Sequence, residues 1–252
     1  MIDPTTRFTT RVENYVKYRP SYPAAIINLL ETECSLTHEQ IVADIGSGTG
    51  FMTELFLQHG NSVIGVEPNA EMRDAGERLL AKYPSFVSVS ATAEATTLQE
   101  NSVDFIVVGQ AFHWFNREAA KLEFKRILKT NGWVVLVWNG FRVETSAVVR
   151  GYHELLVKYG TDYKEVSREI ETCDIEALFS PREFRQARFP FKQVFDFAGL
   201  KGRLLSASYA PQPGDRGYEA MIGELRTIFD DNQRDGKVDF DYETEVYYGQ
   251  LK

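Results

Sequence analysis

Hydrophobic and polar residues follow two alternating patterns over the first 140 positions of the chain. Short apolar runs bounded by glycine, proline or polar residues predict buried strands, and they lie at 41–45, 62–68, 86–90, 103–109 and 133–139. Between these runs, apolar residues recur at steps of three and four, which predicts helices that bury one face. A strand–helix–strand order with short connections predicts a parallel sheet with helices on both sides.

Two of the predicted helices have a defined face or end. The first, which lies between the strands at 62–68 and 86–90, is expected to bury Met72, Ala75 and Leu79, which share one helical face. The second, which lies between the strands at 103–109 and 133–139, is expected to end at Asn131-Gly132, because glycine commonly closes a helix.

The pattern changes after residue 141. Residues 145–180 are predicted to be helical and loop-like, as an insertion or lid. The stretch FRQARFPFKQVF (184–195) alternates, and its Pro190 favours the edge of a sheet because proline cannot donate a ladder hydrogen bond. A helix is predicted from Tyr218. The final stretch VDFDYETEVYY (238–248) alternates with period two, which predicts an antiparallel strand.

Composition excludes several classes of protein. The net charge of −8 and the absence of long Lys/Arg runs disfavour a nucleic-acid partner. No apolar run approaches the roughly 20 residues of a membrane span, and the first residues, MIDPTTRFTT, lack the apolar segment of a signal peptide. Cys34 and Cys173 are far apart in sequence and suggest no disulfide framework. These features predict a cytoplasmic protein with no membrane partner.

Three glycines follow the first predicted strand at every second position: Gly46, Gly48 and Gly50. Such a loop allows close approach of the backbone to a ligand, and in doubly wound sheets ligands bind beyond the carboxyl ends of the strands. A dinucleotide fingerprint would place its third glycine at position 51, which is Phe51 here. A phosphate-binding P-loop is also excluded, because no Gly-Lys-Ser/Thr follows.

Two acidic residues flank this loop in the predicted fold. Asp44 precedes the glycines, and Glu67 ends the second predicted strand. An acid at that strand end can accept hydrogen bonds from both hydroxyls of a ribose. A ligand with a ribose, no phosphate and a positive charge therefore fits this pair better than NAD does. The alternative is that both acids are ordinary strand-end residues that cap helices.

The segments DIGSGTG and VIGVEPN resemble motifs one and two of the class I S-adenosylmethionine-dependent methyltransferases. The resemblance extends through SATAEATTL, VDFIVVGQAFHWF and KRILKTNGWVVLVWN, so it covers about residues 40–140. FTTRVENYVKYRPSYP and YETEVYYGQL resemble the small-molecule methyltransferases of the type 11 and trans-aconitate methyltransferase-like subgroup. The resemblance implies S-adenosylmethionine as cofactor and a small-molecule methyl acceptor.

The implied fold is α/β, a doubly wound, mostly parallel sheet of seven strands with the last strand antiparallel, in the Rossmann-like methyltransferase form. We expect one domain over 1–252. Its parts are an N-terminal helical cover (1–39), a cofactor-binding core (40–140), a helical insertion or lid (141–183), and strands and helices that complete the sheet (184–252).

The resemblance also assigns cofactor contacts. The methionyl part would be surrounded by Asp44, Gly46, Ser47, Gly48 and Gly50. Glu67 would hold the ribose hydroxyls, and the adenine would lie beside Pro68, Met72, Ala93 and Glu94. Gln110 would lie near the sulfonium, and Tyr15 and Arg19 would come from a front segment that folds over the cofactor. A surface ion pair is an equal alternative for Arg19, and packing within its own helix is a rival role for Tyr15.

Methyl transfer from a sulfonium is an in-line displacement, in which proximity and alignment can supply about 7–11 kcal/mol. His113, just after the fourth predicted strand, is the candidate catalytic base. The favoured alternative is that His113 and Trp114 form a pocket wall whose aromatic faces stabilise the sulfonium charge. No histidine pair has metal-ligand spacing, so no metal site is expected.

The sequence indicates the class of the acceptor. The motifs of enzymes that methylate nucleic-acid bases are absent, which favours a metabolite-sized acceptor. A carboxylate is one candidate, since it is already ionised near neutral pH. Arg142 and Arg150 could attract such an anion, although solvated charges explain them better. The other functions considered are a cofactor-binding module without transfer activity and, remotely, a nicotinamide-dependent dehydrogenase. Oligomeric state is left open.

Overall fold

A computed structural model describes residues 12–163 and 172–252 of the chain. The predictions for residues 1–11 of the N-terminal cover and for residues 164–171 of the insertion lie outside the described residues. Within the described ranges, no helix combines the length and apolar character needed to cross a bilayer.

The described strands form one seven-stranded sheet in the order β3-β2-β1-β4-β5-β7-β6. Their bounds are β1 Ile41–Ile45, β2 Ser62–Val66, β3 Phe86–Val89, β4 Val103–Gly109, β5 Leu128–Phe141, β6 Phe184–Phe195 and β7 Val238–Gly249. Strands β1 to β5 pair in parallel, and β7 is antiparallel to both of its neighbours, β5 and β6. This arrangement confirms the predicted fold class.

Helices cover the sheet. In chain order they are α1 Val12–Tyr18, α2 Ala25–Cys34, α3 Phe51–His59, α4 Ala70–Leu80, α5 Arg117–Ile127, α6 Ala147–Tyr159, α7 Thr172–Phe179, α8 Phe197–Leu205 and α9 Tyr218–Asn232, with a short 3-10 helix at Phe112–Trp114. Side chains from α2 and α3, such as Leu30 and Phe56, pack in one buried cluster on the sheet. Phe124 of α5 and Phe179 of α7 belong to a second cluster, so the parallel strands are buried by helices.

A third buried cluster lies at the C-terminal part of the sheet. It joins α6, α8 and α9 to β7, and its centre is aromatic, with Phe240 in contact with the rings of Tyr152 and Tyr242 at centroid distances of 4.9 and 5.0 Å. The alternation predicted for 238–248 is confirmed, because the even-numbered side chains from Val238 to Tyr248 are all buried.

The strand order reverses at β1. The chain passes from β1 to β2 and β3 on one side, and then returns to place β4 and β5 on the other side of β1. A crevice therefore opens at the carboxyl ends of β1 and β4, where open α/β sheets bind their ligands.

Two local predictions were wrong. Leu79 is 45% exposed, and the buried face of α4 carries Leu80 in its place. Helix α5 ends at Ile127 and not at Asn131-Gly132. Leu128 has extended backbone angles and pairs with Val103, so pairing with β4 begins before the glycine that was expected to close the helix. Pro190 lies on the edge strand β6, as predicted.

The aromatic cluster on β7 gives a test of the fold. Replacing the fully buried Phe240 by alanine removes contacts with four aromatic neighbours and leaves a cavity. We expect Phe240→Ala to lower the free energy of unfolding by about 3–5 kcal/mol, measured by denaturant titration. Val194→Ala on the edge strand, where the side chain is 55% exposed, is the control and should cost under about 1 kcal/mol. Equal losses of unfolding free energy in the two variants would contradict the placement of Phe240 in the core.

Candidate functional site

The loop after β1 adopts a backbone that requires glycine. Gly46, Gly48 and Gly50 have φ values of 73°, 57° and 90°, in the left-handed region. A Cβ on Gly46 would lie 2.6 Å from the Ala111 Cβ, and one on Gly50 would lie 2.5 Å from Leu80 Cδ1. The loop therefore passes close to both β4 and α4, and the three glycines have structural reasons to be glycine.

Glu67 holds this loop against the start of α4. Its Oε2 accepts a hydrogen bond from Gly48 N at 2.9 Å, and its Oε1 accepts one from Asn69 N at 2.8 Å. Asn69 caps α4 by accepting a hydrogen bond from Met72 N. The carboxylate at the end of β2 thus points toward the glycine loop. Burial raises the pKa of Glu67, and the two backbone N–H groups oppose that rise.

The carboxyl ends of β1, β2 and β4 surround a crevice of about 860 Å³, including its part open to solvent. The crevice is lined by Tyr15, Gly46, Gly48, Glu67, Pro68, Asn69, Met72, Thr92, Ala93, Glu94, Gly109, Gln110, Ala111, Trp114 and Phe115. Its charged lining residues are the two glutamates, and no lysine or arginine lines it within the described part of the chain.

The structure brings most of the predicted contacts together. Nine of them line the crevice: Tyr15, Gly46, Gly48, Glu67, Pro68, Met72, Ala93, Glu94 and Gln110. Thr92, Gly109 and Ala111 were not predicted, although each lies just after the end of β3 or at the end of β4. In the sequence, only their position at or after a strand end could have indicated these residues, because their side chains are small and carry no charge.

Four predicted residues do not line the crevice. Ser47 N donates to Val66 O at 3.1 Å, and Gly50 N closes the loop by donating to Ser47 O at 2.9 Å. Arg19 is directed toward α8, where Nε donates to Ser206 Oγ at 3.1 Å, and its guanidinium lies 5.1 Å from the centre of the Tyr15 ring. Asp44 is the fourth. Their direct contact with a ligand stays a prediction.

Asp44 is almost fully buried, with 1% of its surface exposed. Its Oδ2 accepts a hydrogen bond from Thr53 Oγ1 at 2.6 Å, whereas Oδ1 has no partner among the described residues. Burial raises the pKa of Asp44 from 3.8 to about 7, against the lowering effect of the Thr53 hydrogen bonds, and the charge of Glu67 raises it further. An orphaned carboxylate oxygen in this position suits a ligand that carries an ammonium or another cationic group.

Aromatic residues form the wall after β4. Trp114 and Phe115 line the crevice, and Phe115 packs edge-on against Phe112 and Phe124. His113 is half-buried and is not a lining residue; its ring lies 4.6 Å from that of Trp114. Gln110 has a φ of 55° and donates from Nε2 to Asn139 O at 3.0 Å, so the turn that starts this wall is held in a strained conformation.

Tyr15 of α1 closes the crevice from the N-terminal side. Its ring stacks on that of Phe51, with the ring centres 6.0 Å apart. Phe51 stands where a dinucleotide fingerprint would have its third glycine, and here it supports the Tyr15 ring. In the described ranges, no group of three or more His, Cys, Asp or Glu side chains could hold a metal ion.

Comparisons with known proteins agree with this geometry. A family model described as "Methyltransferase domain" matches residues 43–136. The Schizosaccharomyces pombe protein named "Uncharacterized methyltransferase C25B8.09" is 35% identical over 244 residues, which are 95% of this chain and 95% of the relative. A second relative from the same yeast, "Uncharacterized methyltransferase-like C25B8.10", is 30% identical over 88% of this chain and 85% of its own length.

Solved structures give the same fold. The structure of a protein from Anaeromyxobacter dehalogenans superposes with a TM-score of 0.67 over 93% of this chain and 98% of its own, at 21% identity. The YcgJ protein of Bacillus subtilis superposes with a TM-score of 0.57 over 90% of this chain and 98% of its own, also at 21% identity.

The raised pKa of Asp44 predicts a specific pH dependence of stability. Between about pH 4 and 7 the carboxyl is ionised in the unfolded chain and protonated in the folded one, so stability falls as the pH rises through this window. Asp44→Asn, which keeps an oxygen for Thr53, removes this loss. The free energy of unfolding of this variant, relative to that of the wild type, should be higher at pH 7.5 than at pH 4.5 by on the order of 1–4 kcal/mol. Denaturant titration at both pH values measures this difference.

Asp74→Asn, at an exposed position of α4, is the matched control and should follow the wild-type pH dependence. Parallel curves for Asp44→Asn and the wild type would show that Asp44 is not held protonated by burial.

Proposed function

The chain belongs to the S-adenosylmethionine-dependent methyltransferases, and on this premise we propose that it methylates a small-molecule acceptor, with a carboxylate as one candidate acceptor group. The observation that carries the proposal is the crevice, in which Glu67 is anchored at the glycine loop and no cationic side chain lines the described wall. Such a lining suits an adenosyl group with a positive charge and does not suit a diphosphate. Family membership also removes the nicotinamide-dependent dehydrogenase from consideration.

Each part of the cofactor has a fitting set of side chains. Glu67 keeps a free lone pair on each oxygen for the ribose hydroxyls, since each oxygen accepts one hydrogen bond from the backbone. The orphaned Oδ1 of Asp44 suits the amino group of the methionyl part. Pro68, Met72, Ala93 and Glu94 line the remaining wall, where the adenine would lie.

When bound, S-adenosylmethionine supplies an electrophilic methyl group on a sulfonium sulfur. The chain's contribution is to position the reactants, to exclude water and to place aromatic faces beside a cationic centre. Trp114 and Phe115 present those faces. Tyr15, supported by Phe51, covers the crevice against solvent.

We propose a cytoplasmic reaction, in line with the acidic composition and with two cysteines that are free thiols. The proposed acceptor lies within reach of α1 and of the segment 141–183, which we propose as a lid. Membership of the trans-aconitate methyltransferase-like subgroup stays a prediction.

The proposed cofactor grip is tested by isothermal titration with S-adenosylhomocysteine. Glu67→Ala removes a charged acceptor of hydrogen bonds, each worth about 1.5–3 kcal/mol, so the affinity should fall roughly tenfold to a hundredfold. Gly48→Val should also abolish tight binding, because φ is 57° and the added Cβ would lie 3.3 Å from Met72 Cε. Glu77→Ala, on the exposed face of α4, should bind as the wild type does. Unchanged affinity in both Glu67→Ala and Gly48→Val would contradict the proposed cofactor site.

The role of His113 is tested by the pH dependence of methyl transfer to an acceptor found by screening metabolite pools with methyl-labelled S-adenosylmethionine. We propose that His113 supports Trp114, because its ring packs on Trp114 and does not line the crevice. His113→Gln should then lower kcat by less than about tenfold and leave the pH profile unchanged. A catalytic base contributes about 10²–10⁴-fold, so a loss of that size with loss of the acidic limb would assign the proton transfer to His113.

A further inference from the structure

Arg203 of α8 is a charged side chain in an aromatic environment. Only 3% of its surface is exposed. Its guanidinium carbon lies 5.5 Å from the centre of the Phe141 ring and 5.8 Å from that of Tyr242, and its Nε donates to Tyr242 Oη at 3.0 Å. The buried Nη1 has no hydrogen-bond partner, and no carboxylate of the described residues forms an ion pair with this arginine.

A buried cation without a counter-ion is costly. Buried charges in proteins are normally paired and fully hydrogen-bonded, because removal from water costs several kcal/mol per ion. Arginine cannot avoid this cost by losing its proton. Cation–π contacts offset part of the cost, but they leave the N–H groups of Nη1 unsatisfied. The position therefore suits an anion that is supplied from outside the described chain.

Tyr152 of α6 provides a second unsatisfied donor in the same cluster. It is completely buried, and its hydroxyl has no hydrogen-bond partner. Its ring packs edge-on against Phe141 at 5.6 Å, the same ring that faces Arg203. Burial raises the pKa of Tyr152, which Arg203 partly opposes, so the hydroxyl stays protonated and can donate. Two buried donors on different helices thus lack an acceptor in one aromatic cluster.

This cluster adjoins the crevice through Tyr15 and Arg19. Tyr15 lines the crevice, and the Arg19 guanidinium lies against its ring. Arg19 is bonded to Ser206, and Ser206 Oγ in turn donates to Arg203 O at 2.7 Å. Burial raises the pKa of Tyr15, and the positive charges of Arg19 and Arg203 act against this rise while Glu67 adds to it. Both arginines and the crevice acid therefore lie within electrostatic reach of one phenol.

We infer that Arg203 and Tyr152 bind an oxyanion of the methyl acceptor, a carboxylate or a phosphate, beside the cofactor crevice. The inference rests on the proposed function and adds the substrate class: an anionic small molecule. The guanidinium and the phenol donate hydrogen bonds to the oxyanion, which satisfies both orphaned groups and gives the buried charge a counter-ion. Arg19, whose positive charge also acts on Tyr152, adds positive charge to the same region.

The test is anion binding to the protein saturated with S-adenosylhomocysteine. The probes are mono-, di- and tricarboxylic acids, phosphate monoesters, and the carboxamides of the same acids, all at one ionic strength set with sodium chloride. Bound ligand raises the melting temperature according to its concentration and affinity. We expect at least one acid to raise the Tm of the wild type while its carboxamide does not; whether this acid is a carboxylate or a phosphate identifies the anion.

Three variants locate the binding. Arg203→Met should weaken binding of that acid at least tenfold, and Tyr152→Phe should weaken it about threefold to tenfold. Arg188→Met is the control, since Arg188 is an exposed arginine of β6 paired with Glu245, and its affinity should be that of the wild type. Tyr152→Phe removes only a hydroxyl that has no partner, so its unfolding stability should equal or exceed the wild-type value. This variant decides the question if Arg203→Met does not fold.

The inference is overturned if no acid raises the Tm more than its carboxamide, or if the response survives undiminished in both Arg203→Met and Tyr152→Phe. All three variants should bind S-adenosylhomocysteine as the wild type does, because none of the altered side chains lines the crevice. Failure of the wild type to bind S-adenosylhomocysteine would instead count against the proposed function.

Discussion

The site depends on one carboxylate that accepts two backbone hydrogen bonds. Glu67 joins Gly48 of the loop after β1 to Asn69 at the start of α4. It thereby fixes the loop relative to α4, whereas the helix that directly follows the loop is α3. A buried carboxylate without these donors would be costly. Glu67 also lines the crevice. Glu67 is therefore the brace of the loop, and in the proposed function it also presents negative charge to the ribose.

The rest of the crevice is built around this brace. The strand order reverses at β1, which brings the ends of β1 and β4 together. The left-handed glycines let the loop pass close to Ala111 and Leu80. The aromatic wall follows from a strained turn at Gln110. Family membership identifies the reaction as methyl transfer from S-adenosylmethionine, and the geometry explains how these residues could hold such a cofactor without a cationic phosphate site.

The sequence predicted the features that depend on local patterns. Apolar runs marked all five of the first strands, because parallel strands are buried on both faces. The position of Glu67 at the end of β2, together with the glycines, predicted which strand ends would converge. The end of α5 was wrong because pairing between Leu128 and Val103 overrides the turn preference of Asn131-Gly132. That contact joins residues on different strands and is invisible to a local pattern.

Arg203 illustrates the same limit in the candidate acceptor site. Sequence reasoning chose Arg142 and Arg150 as possible attractors of an anion, yet Arg142 lies near Glu144, at 3.8 Å, and Arg150 is exposed. Arg203 sits in a helix with an ordinary amphipathic pattern, and its isolation from any described carboxylate results from the packing of α6, α8 and β7. Likewise, only the fold shows that the hydroxyl of Tyr152 has no hydrogen-bond partner among the described residues.

The most direct measurement is a crystal structure of the protein with S-adenosylhomocysteine. The account predicts that both Glu67 carboxylate oxygens lie within hydrogen-bond distance, about 2.5–3.0 Å, of the ribose hydroxyls while keeping the bonds from Gly48 and Asn69. A ribose bound elsewhere, or a Glu67 side chain rotated away from the loop in the complex, would contradict it.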